Sequence, residues 1–258
     1  MAALTIPDLA GKRVLVTGAS TGIGAAVAKA FAAQGAKVGV HYNASREAAE
    51  AVADDIRKAG GTVALIHGDV SDAAASRAVV DEGAKALGGL DGLINNAGGM
   101  LGRKPFTDVT DEHYDNVMDL NARSVWVAIQ AAVPHLRKSG GGFIINTTSI
   151  AARNGGGGGS VIYAASKGFV STVTRGLAKE VIGDRIRINA VSPGVIDTPF
   201  HERYSSAEQM KAMVAGIPQG RNGTAEECVG AYLFLASETL SSYVVGQVIE
   251  VNGGQLMP

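Results

Sequence analysis

Cysteine is almost missing: 258 residues contain one, Cys228. An internal disulfide is therefore excluded, and the composition fits a reducing compartment, so a cytoplasmic location is expected. Cys228 lies in an apolar, helix-like run, which points to a buried structural thiol rather than a reactive one. Net charge is equally scarce at −1, so no global basic field draws in nucleic acid or an acidic membrane. No apolar stretch approaches the ~18 uninterrupted residues of a membrane span. The opening MAALTIPDLAGKR lacks the long apolar core of a signal peptide. The five histidines show no ligand spacing such as HExxH, so no metal site is expected.

What is present is an alternation. Short β-branched runs at 13–17, 37–41, 62–67, 92–96, 142–149, 185–192 and 247–252 read as strands. Stretches of helical period lie between them at 22–34, 45–59, 72–87, 111–138, 160–182 and 224–236. The strands are near-continuous apolar runs, as strands buried on both faces must be. The expectation is α/β: one Rossmann-type, doubly wound domain over 1–258, with a seven-stranded parallel sheet and helices on both faces. Ser45 is placed to cap the second helix, and Thr224-Ala-Glu-Glu227 has the form of a capping box. Pro134 predicts a kink or an early end late in the long fourth helix. The glycine run 155–159 predicts a mobile or tightly turned loop. The stretch 195–223 has no strand pattern and a possible short helix at 206–215; a loop that long suggests a lid, assigned to 195–220.

VLVTGASTGIG at 14–24 runs from the first strand into the first helix. Gly18, Gly22 and Gly24 allow close backbone approach, so amides at the helix start can face a pyrophosphate. The spacing is not G-x-G-x-x-G, but the first strand–helix turn is where doubly wound folds bind dinucleotides. Further along, YAASK places Tyr163 and Lys167 four positions apart on one helix face. An ammonium there would favour the phenolate and bring the phenol toward useful acid–base chemistry. A plain surface pair is the alternative reading.

These motifs, with GDV (68–70), NNAG (95–98), Asn121, Ser149, PG (193–194) followed by Thr198, and VNGG (251–254), resemble those of the short-chain dehydrogenase/reductases, in order and over essentially the whole chain. The resemblance implies an NAD(P)-dependent oxidoreductase acting on a small carbonyl or secondary alcohol substrate. Tyr163 would exchange a proton with the substrate oxygen, Ser149 would orient that oxygen, Lys167 would lower the Tyr163 pKa and hold the nicotinamide ribose, and Asn121 would position Lys167. Face alternation alone leaves Thr147 open beside Ser149; the family pattern selects 149. The same resemblance gives the cofactor Gly18, Ser20, Thr21, Gly22, Ile23, Gly24, Asp69, Val70, Asn96, Ala97, Gly98, Tyr163, Lys167, Pro193, Gly194, Ile196 and Thr198. Asp69 would take the adenine amino group, or instead cap a helix. A homotetramer is expected, because the apolar faces of 111–138 and 160–182 and the final strand exceed what one sheet face needs.

NAD-specific sites carry an acid at the end of the second strand. Here that position holds Tyr42, beside Asn43, with Ser45 and Arg46 opening the next helix. A 2′-phosphate would meet a helix N-terminus and an arginine rather than a carboxylate, so NADP(H) is expected over NAD(H). Thr21 stands where many NADP-preferring relatives carry Arg and speaks against this. The Ser149–Tyr163 interval is about one residue longer than the family implies, with the glycine run as insertion. Met100, Arg103, Arg153, His201, Arg203, Tyr204 and Met210 are candidate substrate walls.

The overall pattern is most similar to 3-oxoacyl-carrier-protein and broad-specificity ketoreductases, with sugar or polyol dehydrogenases of the family as the alternative. Gly183-Asp184 after the catalytic helix, where a carrier protein would meet basic residues, counts against a carrier, although Arg185 is adjacent. A non-catalytic redox sensor would not need the Ser–Tyr–Lys–Asn set.

Overall fold

The computed structural model describes residues 5–257, apart from the side chains of His201 and Glu202. The chain runs β1 (Arg13–Val16), α1 (Gly22–Ala33), β2 (Lys37–Tyr42), α2 (Arg46–Lys58), β3 (Thr62–His67), α3 (Ala73–Leu87) and β4 (Gly92–Asn95). Then follow α4 (Asp111–Met118), α5 (Ser124–Lys138), β5 (Gly142–Thr147), α6 (Ala151–Asn154), α7 (Val161–Val181) and β6 (Ile186–Pro193). The last part holds β7 (Ile196–Asp197), α8 (Pro199–Tyr204), α9 (Ala207–Ala215), β8 (Gly223–Thr224), α10 (Ala225–Ala236), α11 (Glu238–Ser241) and β9 (Val248–Val251).

Seven strands form one sheet in the order β3-β2-β1-β4-β5-β6-β9, with every pairing parallel. Side-chain alternation divides the core between the two faces. Val14 and Val16 of β1, with Phe143 and Ile145 of β5, pack against α1, α2 and α10 around Phe31 and Tyr232. Leu15 and Ile144 point the other way, onto α3, α5 and α7. Truncating one of these fully buried side chains, Leu93→Ala for instance, would cost about 2–5 kcal/mol. The order reverses between β1 and β4: the chain winds outward from β1 to β3, then returns to β4 and continues the other way. That reversal opens a crevice beyond the carboxyl ends of the strands.

Several sequence expectations change in detail. The long fourth helix is two helices joined by a π-helical turn, Asp119–Arg123. The cause is Asn121, whose Nδ2 donates to the Val117 carbonyl at 2.8 Å and disturbs the backbone ladder there. Pro134 ends nothing, since α5 runs through it to Lys138. Pro134 and Gln130, whose carbonyl the proline leaves without its helical donor, both lie on the exposed face, where water can satisfy it. Ser45 occupies the N-cap position of α2 but makes no side-chain cap bond. Thr224 does form the expected capping box, its hydroxyl accepting from Glu227 N and the Glu227 carboxylate accepting from Thr224 N. Cys228 is buried, and burial pushes its thiol up to about 12. The stretch after β6 holds two helices where one was expected, and the β7–β8 pair joins its two ends.

Candidate active site

The phosphate-loop end is built mostly from backbone. Gly18 sits at φ +61°, and a Cβ there would stand 2.8 Å from the Ala97 Cα. A side chain on Gly24 would run into the Gly18 carbonyl and the Asn96 amide. Glycine at these two places brings α1 against the ends of β1 and β4. Asn96 braces the turn by donating from Nδ2 to the Thr17 and Gly18 carbonyls at 3.1 and 3.0 Å. The Thr17 hydroxyl accepts from the Asn96 and Ala97 amides at 3.0 and 3.1 Å. Thr21 at the N-cap of α1 makes no side-chain cap bond and the first turn carries no acid, so the helix start is open to an anion.

His41 was missed as a site residue. It is 1% exposed and uses both ring nitrogens. Nδ1 accepts from the Gly18 amide at 3.0 Å, which leaves the proton on Nε2 for the Gly68 carbonyl, also at 3.0 Å. Burial holds its pKa below the ordinary histidine value, so the ring is neutral and the tautomer fixed. The absence of an acid from β2 drew attention to Tyr42, but the preceding residue is the one facing the glycine loop. Tyr42 itself is buried, with its ring 5.2 Å from that of His67. Asp69 accepts from Ser71 N and Oγ at 3.0 and 2.7 Å. The helix-capping alternative falls to Asp72, whose carboxylate accepts from Ala75 N at 2.7 Å. Arg46 turns away: its guanidinium is exposed and paired with Glu50 at 2.8 Å, one helical turn on.

Ser149 lies two residues beyond β5 rather than at its end, because the last paired residue is Thr147. The three hydroxyls there divide cleanly. Thr147 pairs with the Tyr232 hydroxyl at 2.7 Å beneath the sheet, and Thr148 donates to the Lys167 carbonyl at 2.9 Å. Ser149 shares the cleft with Tyr163, and its hydroxyl also accepts from Ala151 N at 3.1 Å. Tyr163 is half-buried, yet the enclosure of its hydroxyl pushes the phenol up to about 12, with the nearby Ser149 hydroxyl acting the other way. Lys167 is buried and falls to about 8 for the same reason. Its Nζ lies 5.8 Å from the Tyr163 ring centroid and donates to the Thr147 carbonyl at 3.0 Å. The phenol is thus raised where a lowering by the ammonium was expected: burial is the leading cause, and Lys167 is not among the groups that shift it. Asn121 is fully buried and locked to Gly99, donating to its carbonyl at 2.8 Å and accepting from its amide at 3.0 Å. Gly98 lies against both it and Lys167: a Cβ there would stand 2.7 Å from Asn121 Oδ1 and 3.1 Å from Lys167 Nζ.

These groups share one cleft of about 600 Å³, which receives Gly18, Ser20, Thr21, Gly22, Ile23, Tyr42, Asn43, Ser45, Asp69, Val70, Asn96, Ala97, Gly98, Ser149, Tyr163, Lys167, Pro193, Gly194, Ile196 and Thr198. Gly24, Arg46 and Asn121 are the expected site residues that do not line it. The volume, the open helix start and the glycine turn fit a dinucleotide. Of the candidate walls, Met100, Arg103 and Arg203 line the cleft, while Arg153, Tyr204 and Met210 do not; the His201 side chain lies outside the described residues. Phe200, Met213 and Gln255 join them unforeseen. The Phe200 ring stands 5.7 Å from that of Tyr163, which lays α8 over the phenol. Arg103 joins α8 to the glycine run, donating to the Tyr204 carbonyl at 2.8 Å and the Gly158 carbonyl at 3.0 Å. The run is tightly turned rather than mobile: Gly155, Gly156 and Gly159 take positive φ, and Gly159 accepts from Lys104 N at 2.9 Å.

Residues 18–255 match the family model adh_short_C2, described as enoyl-(acyl carrier protein) reductase. An uncharacterized oxidoreductase of Methylorubrum extorquens is 40% identical over 248 residues, 95% of this chain and 98% of that protein. The solved NADH-dependent reductase A1-R′ responsible for alginate metabolism superposes with a TM-score of 0.90 at 40% identity, covering 98% of this chain and 100% of that one. A short-chain dehydrogenase from Burkholderia cenocepacia, solved with NADP, gives a TM-score of 0.89 at 36% identity, over 96% and 99%.

Proposed function

The chain belongs to the short-chain dehydrogenase/reductase family, and from that premise we propose that it reduces a carbonyl, or oxidises the matching secondary alcohol, with Tyr163 exchanging the proton. The observation that carries this is the meeting of Ser149, Tyr163 and Lys167 in the same cleft as the glycine turn, with Lys167 Nζ 5.8 Å from the phenol ring centroid. A nicotinamide dinucleotide supplies or accepts the hydride when bound. Gly22, Ile23 and the start of α1 would hold its pyrophosphate, Asp69 and Val70 its adenine end, and Lys167 the nicotinamide ribose.

Tyr163 remains protonated at neutral pH because its pKa is raised to about 12. The proton is thus in place for transfer to a carbonyl oxygen, but a phenol so raised is a weak acid until the phenolate it leaves is stabilised. Ser149 Oγ orients that oxygen beside the phenol. The charged Lys167 stabilises the phenolate left behind, so its influence on Tyr163 falls on the transition state rather than the resting acid.

Beyond the family reading, the closest functional pattern is a 3-oxoacyl or broad-specificity ketoreductase, with a sugar or polyol dehydrogenase as the second reading. We read 1–258 as one domain in which 195–220 closes as a lid over cofactor and substrate. The two lid helices are hinged at the β7–β8 pair, and α9 buries no residue. NADP(H) is favoured over NAD(H) because β2 ends on Tyr42 and Asn43 rather than an acid and Ser45 makes no cap bond, with Glu47 in the first turn of α2 as the counterweight. A cytoplasmic homotetramer is supported by the free, buried Cys228 and by exposed Tyr114, Trp126 and Val161 on α4, α5 and α7. The deciding experiment is a panel of ketones, aldehydes and alcohols with NADPH and NADH, read by absorbance of the reduced nicotinamide. Turnover with at least one carbonyl is expected, and none with any would end the reading.

A further inference from the structure

Charge within the cleft is divided by position. Among the described residues one carboxylate lines it, Asp69, just beyond β3. β3 is four strand spacings from β5, about 19 Å. At the Tyr163 end, beyond Lys167, the charged lining residues are Arg103 and Arg203. Neither has a carboxylate partner among the described residues; Arg77, Arg153, Arg175, Arg185 and Arg187 also have none, but of the unpaired arginines only Arg103 and Arg203 line the cleft.

The two arginines are placed by the fold rather than left at the surface by chance. Phe200 and Arg203 are three apart on α8, so the face that lays Phe200 on the Tyr163 ring also presents Arg203. Arg203 is further held with its guanidinium carbon 6.0 Å from the Tyr204 ring centroid. Arg103 is pinned by its two backbone carbonyls through Nε and Nη1, and its Nη2 has no partner among the described residues. Immobilised by those bonds, that nitrogen loses little further entropy on taking an acceptor. A third group points the same way. Gln255 lines the cleft, and its Oε1 is buried with no hydrogen-bond partner among the described residues. An unpaired buried acceptor calls for a donor from whatever occupies the space.

We propose that the substrate is a hydroxylated oxo acid: a carbonyl compound whose carboxylate is held by Arg103 and Arg203, with a hydroxyl donated to Gln255. This rests on the oxidoreductase reading and narrows its substrate class. An uncharged, apolar substrate under the same lid would strip water from both guanidinium groups without replacing it. A carboxylate replaces that water with charge-assisted hydrogen bonds, the strong kind.

The test uses matched pairs that differ only in charge: D-glucuronate against D-glucuronamide, and succinic semialdehyde against its methyl ester, each at saturating reduced cofactor. The kcat/KM for the acid should exceed that for its neutral partner by about tenfold or more. In Arg203→Gln the acid-to-neutral ratio should fall toward one, and added salt should lower it in the parent protein. Arg203 is itself exposed at the cleft rather than packed in the core, so this variant spares the core. Equal turnover within each pair overturns the inference and leaves the oxidoreductase reading standing, as does turnover of simple ketones with neither pair used. If no carbonyl is reduced at all, the oxidoreductase reading falls and the inference falls with it.

Discussion

The two ends of the cleft are made of different material. At the cofactor end the groups that set the shape are held by the sheet: Gly18 by His41, Asn96 by Thr17 and Gly18, and Asp69 by Ser71. At the substrate end they sit on two short helices, held to the body by the β7–β8 pair, the Arg103 clasp and the Phe200 ring. Backbone pinned by strands leaves little room for variation in side chains. Side chains on a lid can change without disturbing the sheet. A fold so divided keeps one cofactor chemistry and varies its substrate, and substitutions at the two ends should fail in different ways.

The largest effect is expected where the ends meet. Tyr163→Phe removes the proton donor but keeps the ring against Phe200, so reductive kcat should fall about 10²–10⁴-fold or more. Cofactor binding, measured by fluorescence titration, should persist. A Phe variant turning over near the parent rate would remove Tyr163 from the mechanism.

The next effect belongs to the cofactor end alone. His41→Leu leaves the Gly18 amide and the Gly68 carbonyl without partners, at about 1–3 kcal/mol for each buried orphan. The KM for cofactor should rise about ten- to a hundredfold with kcat nearly retained at saturation. His41→Gln, which can offer Gly18 an acceptor, should recover part of the loss. If both variants bind cofactor like the parent, the contrast between an end braced by the strands and an end carried on short helices is wrong.

A pH profile sharpens the same contrast at the catalytic pair. Lys167 has its pKa lowered to about 8, so its charge is complete well below that value and is lost as the pH rises through it. Tyr163, raised to about 12, keeps its proton over the whole working range. The kcat/KM for reduction, which reports the free enzyme, should therefore be flat at neutral pH and fall about tenfold per unit above ~8. In Lys167→Arg any remaining activity should lose this fall, because guanidinium stays charged there. A parent profile flat to pH 10 would contradict the assignment.

What could be read from the sequence follows the same division. The seven strands, their alternation with helices and the glycine turn were legible because each is local: a β-branched run, a 3.6-residue period, a turn that only glycine permits. Ser149, Tyr163 and Lys167 were legible as a pattern in chain order. The pKa order of the last two was not, since desolvation depends on what closes over them, and Phe200 comes from a distant helix. His41 was hidden because a histidine inside an apolar strand gives no sign of the glycine amide it meets across the strand ends. The break at Asn121 was equally hidden: its cause is a side-chain bond to the Val117 carbonyl, against an ordinary helical period. Gln255 and Met213 reach the cleft only because α9 and the segment after β9 come to its rim from far along the chain.

The smallest expected effect tests the cofactor end at its least braced point. Arg46 was expected to meet a 2′-phosphate, yet it is exposed and bound to Glu50 one turn along α2. Exposed pairs of this kind are weak and exchange readily, so a phosphate near Ser45 can compete with Glu50 for the guanidinium. Because the helix start supplies its own amides and dipole, Arg46 adds to an anion site rather than creating one. Arg46→Ala should therefore lower kcat/KM with NADPH only severalfold and leave that with NADH unchanged. Glu50→Gln, which frees the arginine, should move NADPH in the opposite direction by a similar factor. A tenfold preference for NADH in the parent would reverse the cofactor assignment. An NADPH preference untouched by both substitutions would keep the assignment and move its cause to Asn43, Ser45 and the start of α2.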